Sequence, residues 1–356
     1  MKNSYEKYIN RCFELAERGR GKVSPNPLVG SVILKDDEVI AEGWHTQFGK
    51  PHAEAEALKI AGENAKDATL FCNLEPCCHT NKKTPPCAQA IIRAGIKKVI
   101  ISNVDPNPQV AGGGIKLMQD AGIEVVTGIL ENEGAELNKF FLHSIKEKKP
   151  YVMLKVAQTI DGKISLSEKE QTWITGSESK EFVHQLRSQY DAVLVGANTV
   201  NIDNPALTVR EVEGRNPAKV IIDGRLNVNP EAQLFNGSED TYLFCSKNVD
   251  KEKVKVLDSK GVKIFQIDSE NGTNLDLDKI LKILANEKIS SIMVEGGAGI
   301  FSQFIDKKLF NELIILQGAK LFGKGLSAFN LSEQSSLKLS DFDQLGNDLK
   351  IVYRKI

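Results

Sequence analysis

The distribution of cysteine most constrains what this chain can fold into. Four of its six cysteines lie between residues 72 and 87, in a stretch that also holds one histidine and three prolines. A secreted disulfide-stabilised protein is shorter and spreads its cysteines across the fold, whereas clustered cysteines in a reducing compartment more often bind metal or take part in catalysis. The cluster therefore predicts a metal site rather than a disulfide framework.

Length and composition limit the protein class. The chain has 356 residues, more than a single hydrophobic core supports, so two domains are expected. Its 41% hydrophobic and 26% charged residues are typical of a soluble globular protein, and no apolar stretch is long enough to span a membrane. The first 22 residues read as an amphipathic helix without a signal core, which predicts a cytoplasmic protein. A net charge of -1 without a basic stripe excludes nucleic acid as a first choice of partner.

The order of helix and strand patterns predicts an α/β fold in both halves. Residues 28–44 read as a hairpin that turns at residues 35–38, and helices alternate with short strands after it. A charged run closed by Pro150 marks a boundary, which divides the chain into domains 1–146 and 147–356. The second half has buried strands separated by helices, a pattern that favours a largely parallel sheet covered on both faces.

A histidine, a glutamate and two cysteines form the first chemical constellation. His52 and Glu54 stand two apart at a predicted helix start, Cys77 follows Pro76, and Cys87 follows two prolines. Proline suits the first turn of a helix, where the backbone dipoles stabilise a thiolate. Three ligands, His52, Cys77 and Cys87, leave one position of a tetrahedral zinc for water, whose pKa falls to about 7. With Glu54 as a carboxylate that is not a ligand, this is the signature of the zinc nucleobase deaminases.

A structural zinc site is the alternative. Such a site uses four protein ligands, and His79 or Cys78 would complete the set. A His-x-Glu pair on a helix is also commonly found at the solvent-exposed surface without a functional role. The occurrence of His-x-Glu, Pro-Cys and Pro-Pro-Cys in one order favours the catalytic interpretation.

Four segments of the first half resemble the N-terminal domain of the bifunctional riboflavin-biosynthesis deaminase/reductases. They are SPNPLVGSVI (24–33), GKPHAEAEAL (49–58), NLEPCCHTNKKTPPC (73–87) and VDPNPQVAGGGI (104–115). The resemblance implies a cytidine-deaminase-like fold that acts on a diaminopyrimidinone ribosyl phosphate. It also implies His52, Cys77 and Cys87 as zinc ligands, Glu54 as the proton shuttle and Asn26 as a substrate contact. A plain Pro-Asn-Pro turn is the alternative for Asn26.

The loop between the cysteines departs from the family pattern. The family usually has one residue fewer between its two ligand cysteines, so Cys77 as ligand implies an insertion and Cys78 would restore the count. Cys77 is preferred because Pro-Cys directly after Leu-Glu is the tighter motif and loops absorb insertions. Cys78 stays open as the alternative.

In the second half, SIMVEGGAGIF (291–301) reads as a strand that runs into a glycine-rich turn and a helix. Such a turn lets backbone N–H groups approach a phosphate, although it lacks the full dinucleotide fingerprint. Together with YVMLKVAQTIDGKIS, QTWITG and DAVLVGANTVNIDNPALTVR, it resembles the reductase domain of the same family. That domain has a dihydrofolate-reductase-like fold and uses NADPH.

The resemblance implies a site for each ligand of this half. The implied NADPH contacts are Ala157, Trp173, Thr199, Asp203, Gly297, Ala298, Gly299, Ile300, Phe301, Ser302 and Gln303. The implied substrate contacts are Gln171, Arg187, Leu207, Arg210 and Glu295. Arginine suits a sugar phosphate, and Glu295 ends a strand at the crevice where α/β sheets bind ligands.

Two positions depart from the family pattern, and a third has two interpretations. Asn204 stands where the family commonly has a second Asp, and Gln171 where a small hydroxyl residue is frequent. Lys155 is a further candidate for the cleft, or a strand lysine that pairs with Asp161. Residues 225–285 show no motif.

We therefore expect a hydrolase and an oxidoreductase on one chain, with zinc (Zn2+) and NADPH as cofactors. The expected steps are deamination of 2,5-diamino-6-(5-phosphoribosylamino)pyrimidin-4(3H)-one and NADPH reduction of 5-amino-6-(5-phosphoribosylamino)uracil to the ribitylamino product. The alternatives are a zinc deaminase of another nucleobase and a non-catalytic nucleotide-binding protein with structural zinc. The expected partners are small pyrimidine ribosyl phosphates and a second copy of the chain, forming a dimer.

Overall fold

The computed structural model describes residues 2–79, 85–108, 110–167, 171–270 and 273–356. Residues 80–84 of the cysteine loop and Gln109 of the fourth resembling segment lie outside the described residues. The chain divides into two compact units, Met1–Lys148 (unit 1) and Lys149–Ile356 (unit 2). Among the described residues, no helix combines the length and the apolar character needed to cross a membrane.

Unit 1 is a five-stranded sheet with helices on both faces. Its elements are α1 (Lys2–Glu17), β1 (Gly30–Lys35), β2 (Glu38–Trp44), α2 (Ala53–Ala61), a 3-10 turn (Gly62–Ala65), β3 (Thr69–Leu74), α3 (Cys87–Arg93), β4 (Lys98–Asn103), α4 (Gly113–Asp120), β5 (Glu124–Val126), α5 (Glu131–Leu137) and α6 (Lys139–Glu147). The strand order is β2-β1-β3-β4-β5, and β3, β4 and β5 run parallel. Strand β3 is therefore central.

The predicted hairpin of unit 1 is confirmed. Strands β1 and β2 pair antiparallel, and the turn between them places Asp36 and Asp37 at positive φ. Two consecutive left-handed residues match the right-handed twist of the strands that they join, and aspartate tolerates this conformation.

Alternation along β3 and β4 buries both faces of the sheet. Leu70 and Val99 pack into a cluster with residues of α2, α3 and α4, while Phe71 and Ile100 pack with residues of α1. This packing fixes helix α2 against the sheet. It therefore also fixes the N-terminus of the helix, where His52 is the N-cap.

Unit 2 contains a nine-stranded sheet. Its elements are β6 (Tyr151–Thr159), β7 (Lys163–Ser165), α7 (Ser177–Gln189), β8 (Ala192–Gly196), α8 (Ala197–Asp203), β9 (Ala218–Ile222), a 3-10 turn (Gln233–Asn236), β10 (Thr241–Ser246), α9 (Lys251–Ser259), β11 (Lys263–Ile267), β12 (Ser269–Glu270), β13 (Asn274–Leu275), α10 (Leu277–Asn286), β14 (Ser291–Val294), α11 (Ala298–Asp306), β15 (Glu312–Gly318), β16 (Leu326–Ser327), β17 (Leu337–Leu345) and β18 (Asp348–Lys355). The order of the large sheet is β11-β10-β9-β8-β14-β6-β15-β18-β17, with β14 in the centre.

The parallel sheet predicted for the second half is confirmed. The seven strands from β11 to β15 in this order all pair parallel with their neighbours in that set. Val152 and Leu154 pack with residues of α10 and α11, and Met153 between them is also fully buried. Burial on both faces explains why these strands read as continuous apolar runs.

The C-terminal hairpin β17–β18 was not predicted from the sequence. Strand β18 pairs antiparallel with β15, and β17 forms the edge of the sheet. A register shift between Leu339 and Asp341 breaks the two-residue alternation of β17, and most of that strand is exposed. The pattern on which strand prediction depends is therefore absent there.

The close approach of α2 to β2 gives a test of the fold. A Cβ atom at Gly43 would lie 2.4 Å from the Ala53 carbonyl oxygen and 2.6 Å from the Ala57 nitrogen, which are backbone atoms of α2. We expect Gly43→Ala to lower the free energy of unfolding by about 2 kcal/mol, because overpacking displaces the helix. Urea unfolding measures the change. The control is Gly176→Ala, whose Cβ would meet nothing closer than 3.7 Å; an equal urea midpoint for both variants would contradict the packing.

Candidate active sites

Three side chains of unit 1 meet with the geometry of a metal centre. The ligand atoms of His52, Cys77 and Cys87 lie within 4.8 Å of one another, and they form the one such group of three found among the described residues. His52 Nδ1 is 3.6 Å from Cys77 Sγ and 3.4 Å from Cys87 Sγ. Tetrahedral zinc with ordinary Zn–N and Zn–S bonds separates nitrogen and sulfur ligands by about 3.5 Å. The donor set and its spacing therefore fit zinc.

Local structure brings each ligand to this centre. His52 is the N-cap of α2 in an extended conformation, so its ring leaves the helix axis. Cys87 is the first residue of α3 after Pro86, as predicted, and its backbone N–H donates to Cys77 Sγ at 3.4 Å. N–H groups at a helix start stabilise thiolates, which are the form of cysteine that binds metal.

The neighbouring Cys78 has different surroundings. Its Sγ donates to the Val110 carbonyl oxygen at 3.9 Å, and it is not a member of the three-residue group. Cys77, by contrast, is buried within the group. The geometry therefore supports Cys77 as the ligand.

Glu54 lies in the first turn of α2, two residues after His52, with only 3% of its surface exposed. Burial first, and the Glu54 charge next, raise the pKa of the Cys72 thiol well above its ordinary range. Glu54 is thus a buried carboxylate close in the chain to His52, and it is not a member of the three-residue group.

His45 links Asn26 to His52 of the three-residue group, a contact that the sequence did not predict. The Pro51 carbonyl oxygen accepts a hydrogen bond from His45 Nδ1 at 2.9 Å, so Nε2 is left to accept one from Asn26 Nδ2 at 3.0 Å. Burial lowers the pKa of His45, which favours this neutral form. Its ring also packs edge-on against His52, with 5.4 Å between centroids. The Asn26 amide is thus oriented by a ring that packs against His52.

Two buried asparagines hold the segment that follows Asn26. Asn138 accepts from the Leu28 N–H and donates to the Leu28 carbonyl, at 2.8 and 3.0 Å. Asn73 at the end of β3 donates to the same carbonyl and accepts from the Gly30 N–H. Side chains therefore satisfy backbone groups at the start of β1, and they fix residues 28–30.

Unit 2 contains a cleft of about 1440 Å³ at the carboxyl ends of β6, β8, β9 and β14. Ligand pockets usually measure about 300–1,000 Å³, so this cleft has room for two ligands side by side. Carboxyl ends of parallel strands are the usual place for ligand binding in open α/β sheets.

Nearly all residues predicted for the second site line this cleft. Within the described part of the chain these are Ala157, Gln171, Trp173, Arg187, Thr199, Asp203, Leu207, Arg210, Glu295, Gly297, Ala298, Gly299, Ile300, Phe301 and Gln303. Ser302 does not line it: its hydroxyl donates to the Ala298 carbonyl and accepts from the Asn330 N–H. Asn204 ends α8 in a left-handed conformation, which asparagine tolerates, and its side chain accepts from the Gln233 N–H.

A buried ion-pair network crosses the floor of the cleft. Glu295 accepts from Arg187 Nε at 2.7 Å and Nη2 at 3.0 Å, and Lys155 Nζ lies 3.1 Å from Glu295 Oε2. Burial raises the pKa of Glu295, but Arg187 and Lys155 more than offset it and hold that pKa well below its usual range. Lys155 therefore pairs with Glu295, while Asp161 accepts from Thr159 and two backbone N–H groups.

The glycine-rich turn is open enough for a phosphate. Gly297 is the extended N-cap of α11, and a Cβ at Gly299 would meet nothing within 4 Å. A Cβ at Gly297 would point toward Thr199 Oγ1, 3.7 Å away, and narrow the gap between the two segments. The free N–H groups of a helix start suit the pyrophosphate of NADPH.

Residues that were assigned no role from the sequence also line the cleft. Asp223, Gly224, Arg225 and Asn227 follow β9, and Thr273 reaches the same wall. A Cβ at Gly224 would lie 2.3 Å from the Thr273 carbonyl oxygen, so the two segments pack backbone to backbone. The signal that could have found them is the Gly-Arg pair directly after a buried strand, at the ligand-binding edge of the sheet.

These two sites define a two-domain enzyme that joins a zinc deaminase to an NADPH-dependent reductase. Residues 2–103 match the cytidine and deoxycytidylate deaminase zinc-binding region, and residues 150–351 match the RibD C-terminal domain. The chain belongs to the RibD family of bifunctional riboflavin biosynthesis proteins. It is 40% identical to riboflavin biosynthesis protein RibD of Aquifex aeolicus, covering 98% of each chain. It is 36% identical to that of Escherichia coli, covering 97% of each.

Solved structures agree with these matches. Acinetobacter baumannii RibD has a TM-score of 0.91 at 35% identity and covers 100% of both chains. A Thermotoga maritima diaminohydroxyphosphoribosylaminopyrimidine deaminase/5-amino-6-(5-phosphoribosylamino)uracil reductase has a TM-score of 0.88 at 37% identity, covering 100% of this chain and 99% of that one. The predicted fold class, the two activities and the cofactors zinc and NADPH are thereby confirmed.

Metal analysis of cysteine variants tests the assigned ligands. We expect Cys77→Ser and Cys87→Ser to lose most of the zinc found in the wild type, because each removes a thiolate from the three-ligand set. Cys78→Ser should keep the wild-type zinc content, since its sulfur contacts the Val110 carbonyl. Zinc loss in Cys78→Ser with retention in Cys77→Ser would transfer the ligand role to Cys78.

Proposed function

We propose that this chain deaminates 2,5-diamino-6-(5-phosphoribosylamino)pyrimidin-4(3H)-one in residues 1–146. We further propose that residues 147–356 reduce the product, 5-amino-6-(5-phosphoribosylamino)uracil, with NADPH. The observation that carries the proposal is the three-ligand group of His52, Cys77 and Cys87, which is one ligand short of a closed tetrahedral site. The substrates are those named for the Thermotoga maritima relative.

In the deamination step, Glu54 moves protons. When bound, zinc supplies the Lewis acidity that makes a water nucleophilic near neutral pH. The Glu54 carboxylate takes a proton from the attacking water and passes it to the amino nitrogen, which leaves as ammonia. Asn26, oriented by His45, is placed to hold the pyrimidine ring beside the centre.

Replacement of Glu54 separates catalysis from metal binding. We expect Glu54→Gln to keep its zinc and lower the deamination rate about 10³-fold, because the amide cannot carry protons. The release of ammonia measures deamination, and NADPH consumption with the deaminated substrate shows that unit 2 still works. Glu56→Gln in the same helix is the control. Undiminished deamination in Glu54→Gln would indicate a structural zinc site.

In the reduction step, the ion-pair network fixes the substrate. When bound, NADPH supplies the hydride that converts the ribosyl group to ribityl. Three nitrogens of Arg187 already donate to Glu295 and to the Thr208 carbonyl, so Arg187 acts on the substrate through Glu295. Of the two arginines implied as substrate contacts, Arg210 is the one exposed at the cleft and left to bind the phosphate. The ionised Glu295 accepts hydrogen bonds from the sugar or amine, and Lys155 donates.

Neutralising Glu295 tests the reductase site. Glu295→Gln leaves Arg187 and Lys155 as adjacent uncompensated cations, so we expect kcat/KM for reduction to fall about 100-fold, a cost of about 3 kcal/mol. Ammonia release should continue, and the aminouracil intermediate should accumulate. Glu213→Gln, at an exposed position of the same unit, is the control. NADPH consumption at the wild-type rate would refute the assignment.

A dimer and a cytoplasmic location complete the proposal. Leu339 and Phe342 are 52% and 67% exposed on the edge strand β17, where the register shift turns both toward one face. Such an apolar edge supports association with a second copy. No disulfide joins any of the six cysteines, all of which belong to the described residues, and this fits a reducing compartment.

The alternatives are not favoured. A structural zinc would need a fourth protein ligand, and the group found among the described residues has three members. A deaminase of another nucleobase does not explain a second unit that matches the RibD C-terminal domain over residues 150–351.

A further inference from the structure

The carboxylate of Glu75 is surrounded by backbone N–H groups. Glu75 directly follows β3 and has 3% of its surface exposed. Its Oε1 accepts from the N–H groups of Gly114 and Ile115 at 2.9 and 3.2 Å. Its Oε2 accepts from those of Gly112 and Asp105 at 3.0 and 3.3 Å. Both oxygens are therefore engaged by one neighbouring segment of chain.

Three of these donors belong to the start of α4. The N-cap of this helix is Gly112, which has no side chain to satisfy the first N–H groups. Glu75 reaches across from β3 and takes the place of a capping side chain, with a full negative charge at the positive end of the helix. Loss of this carboxylate would leave buried donors without an acceptor.

The same segment packs directly against the metal-ligand loop. A Cβ at Gly114 would lie 2.1 Å from the Pro76 carbonyl oxygen, and one at Gly113 would lie 2.9 Å from Cys78 Sγ. The Cys78 sulfur also donates to the Val110 carbonyl. Gly113 and Gly114 therefore pack tightly against Cys78 and Pro76. We call residues 105–108 and 110–115, which include this contact, the wall segment.

We propose that Glu75 is a positioning residue for deamination, which holds the wall segment beside Cys77 as one side of the substrate cleft. This inference rests on the deaminase function proposed above. Glu75 neither ligates the metal nor carries protons, because its two oxygens are occupied by four N–H donors. Its role differs from that of Glu54, which lies in the first turn of α2.

Asp105 shows how close the wall segment comes to the centre. Its backbone N–H is held by Glu75, and its side chain accepts from the Asn107 N–H at 2.8 Å. Burial, with contributions from Glu75 and Cys77, raises the pKa of Asp105 to about 6. Glu75 therefore holds the main chain at the buried Asp105 as well as the start of α4.

The test is Glu75→Gln in the full-length chain. The amide retains one oxygen and turns its NH2 group toward two N–H donors, so the wall segment should detach. We expect KM for the diaminopyrimidine substrate to rise at least tenfold while kcat changes less than threefold. Amide hydrogen exchange in residues 110–115 should accelerate at least tenfold. Zinc content and reductase activity should match the wild type, and Glu131→Gln, an exposed glutamate of the same unit, should match it in every measurement.

Three outcomes would overturn the inference. They are kcat/KM for deamination within twofold of the wild type, unchanged exchange in residues 110–115, and zinc loss in proportion to the loss of activity. The last would make Glu75 a support of the metal site alone. If Glu75→Gln does not fold, Glu75→Asp, which retracts the charge by one methylene, carries the same expectations. If the wild type does not deaminate the substrate, the proposed function is refuted. Hydrogen exchange in residues 110–115 would still show whether Glu75 holds the wall segment.

Discussion

The carboxyl end of β3 is the point on which unit 1 depends. Asn73, Glu75 and Cys77 stand two residues apart there, and each binds a different segment of chain. Asn73 holds residues 28–30, Glu75 holds the wall segment, and Cys77 enters the metal group. Because β3 is the central strand and is buried on both faces, these three side chains start from a rigid base. Residues 28–30, the metal group and the wall segment are therefore all positioned by the end of β3.

Both units place a buried carboxylate directly after the central strand of the sheet, but they neutralise it differently. Glu75 after β3 is surrounded by backbone N–H groups, whereas Glu295 after β14 is paired with Arg187 and Lys155. Burying a charge is costly unless it is paired or fully hydrogen-bonded, so each arrangement is required for stability. The backbone N–H groups that bind Glu75 cannot move without unfolding the start of α4, so the Glu75 carboxylate is held in one position. Side-chain cations have room to adjust to a ligand, which suits Glu295 to a substrate site.

Site residues in short local motifs could be predicted from the sequence, whereas contacts between residues far apart in the chain could not. His52, Glu54, Cys77 and Cys87 were predicted because zinc chemistry requires those residue types near helix and strand ends, and the structure brings the first, third and fourth of them together. The link from His45 to Asn26 and the wall contacts of Glu75 join residues that are 19 to 40 positions apart, and no local pattern records them. The hairpin β17–β18 was missed because its bulge removes the alternation that identifies a strand.

Cys77 lies beside His52 and Cys87 despite the extra residue in the cysteine loop, for a structural reason. Cys77 is tied to the start of α3 at two points, since its sulfur accepts from the Cys87 N–H and its carbonyl from the Ala88 N–H. On its other side, Glu75 donates its backbone N–H to the Asn103 carbonyl and so stays in register with β4. The position of Cys77 is thus set by β3 and α3 rather than by the length of the chain between them. A change of one residue in that connection costs little loop-closure entropy and leaves both ligands where the metal requires them.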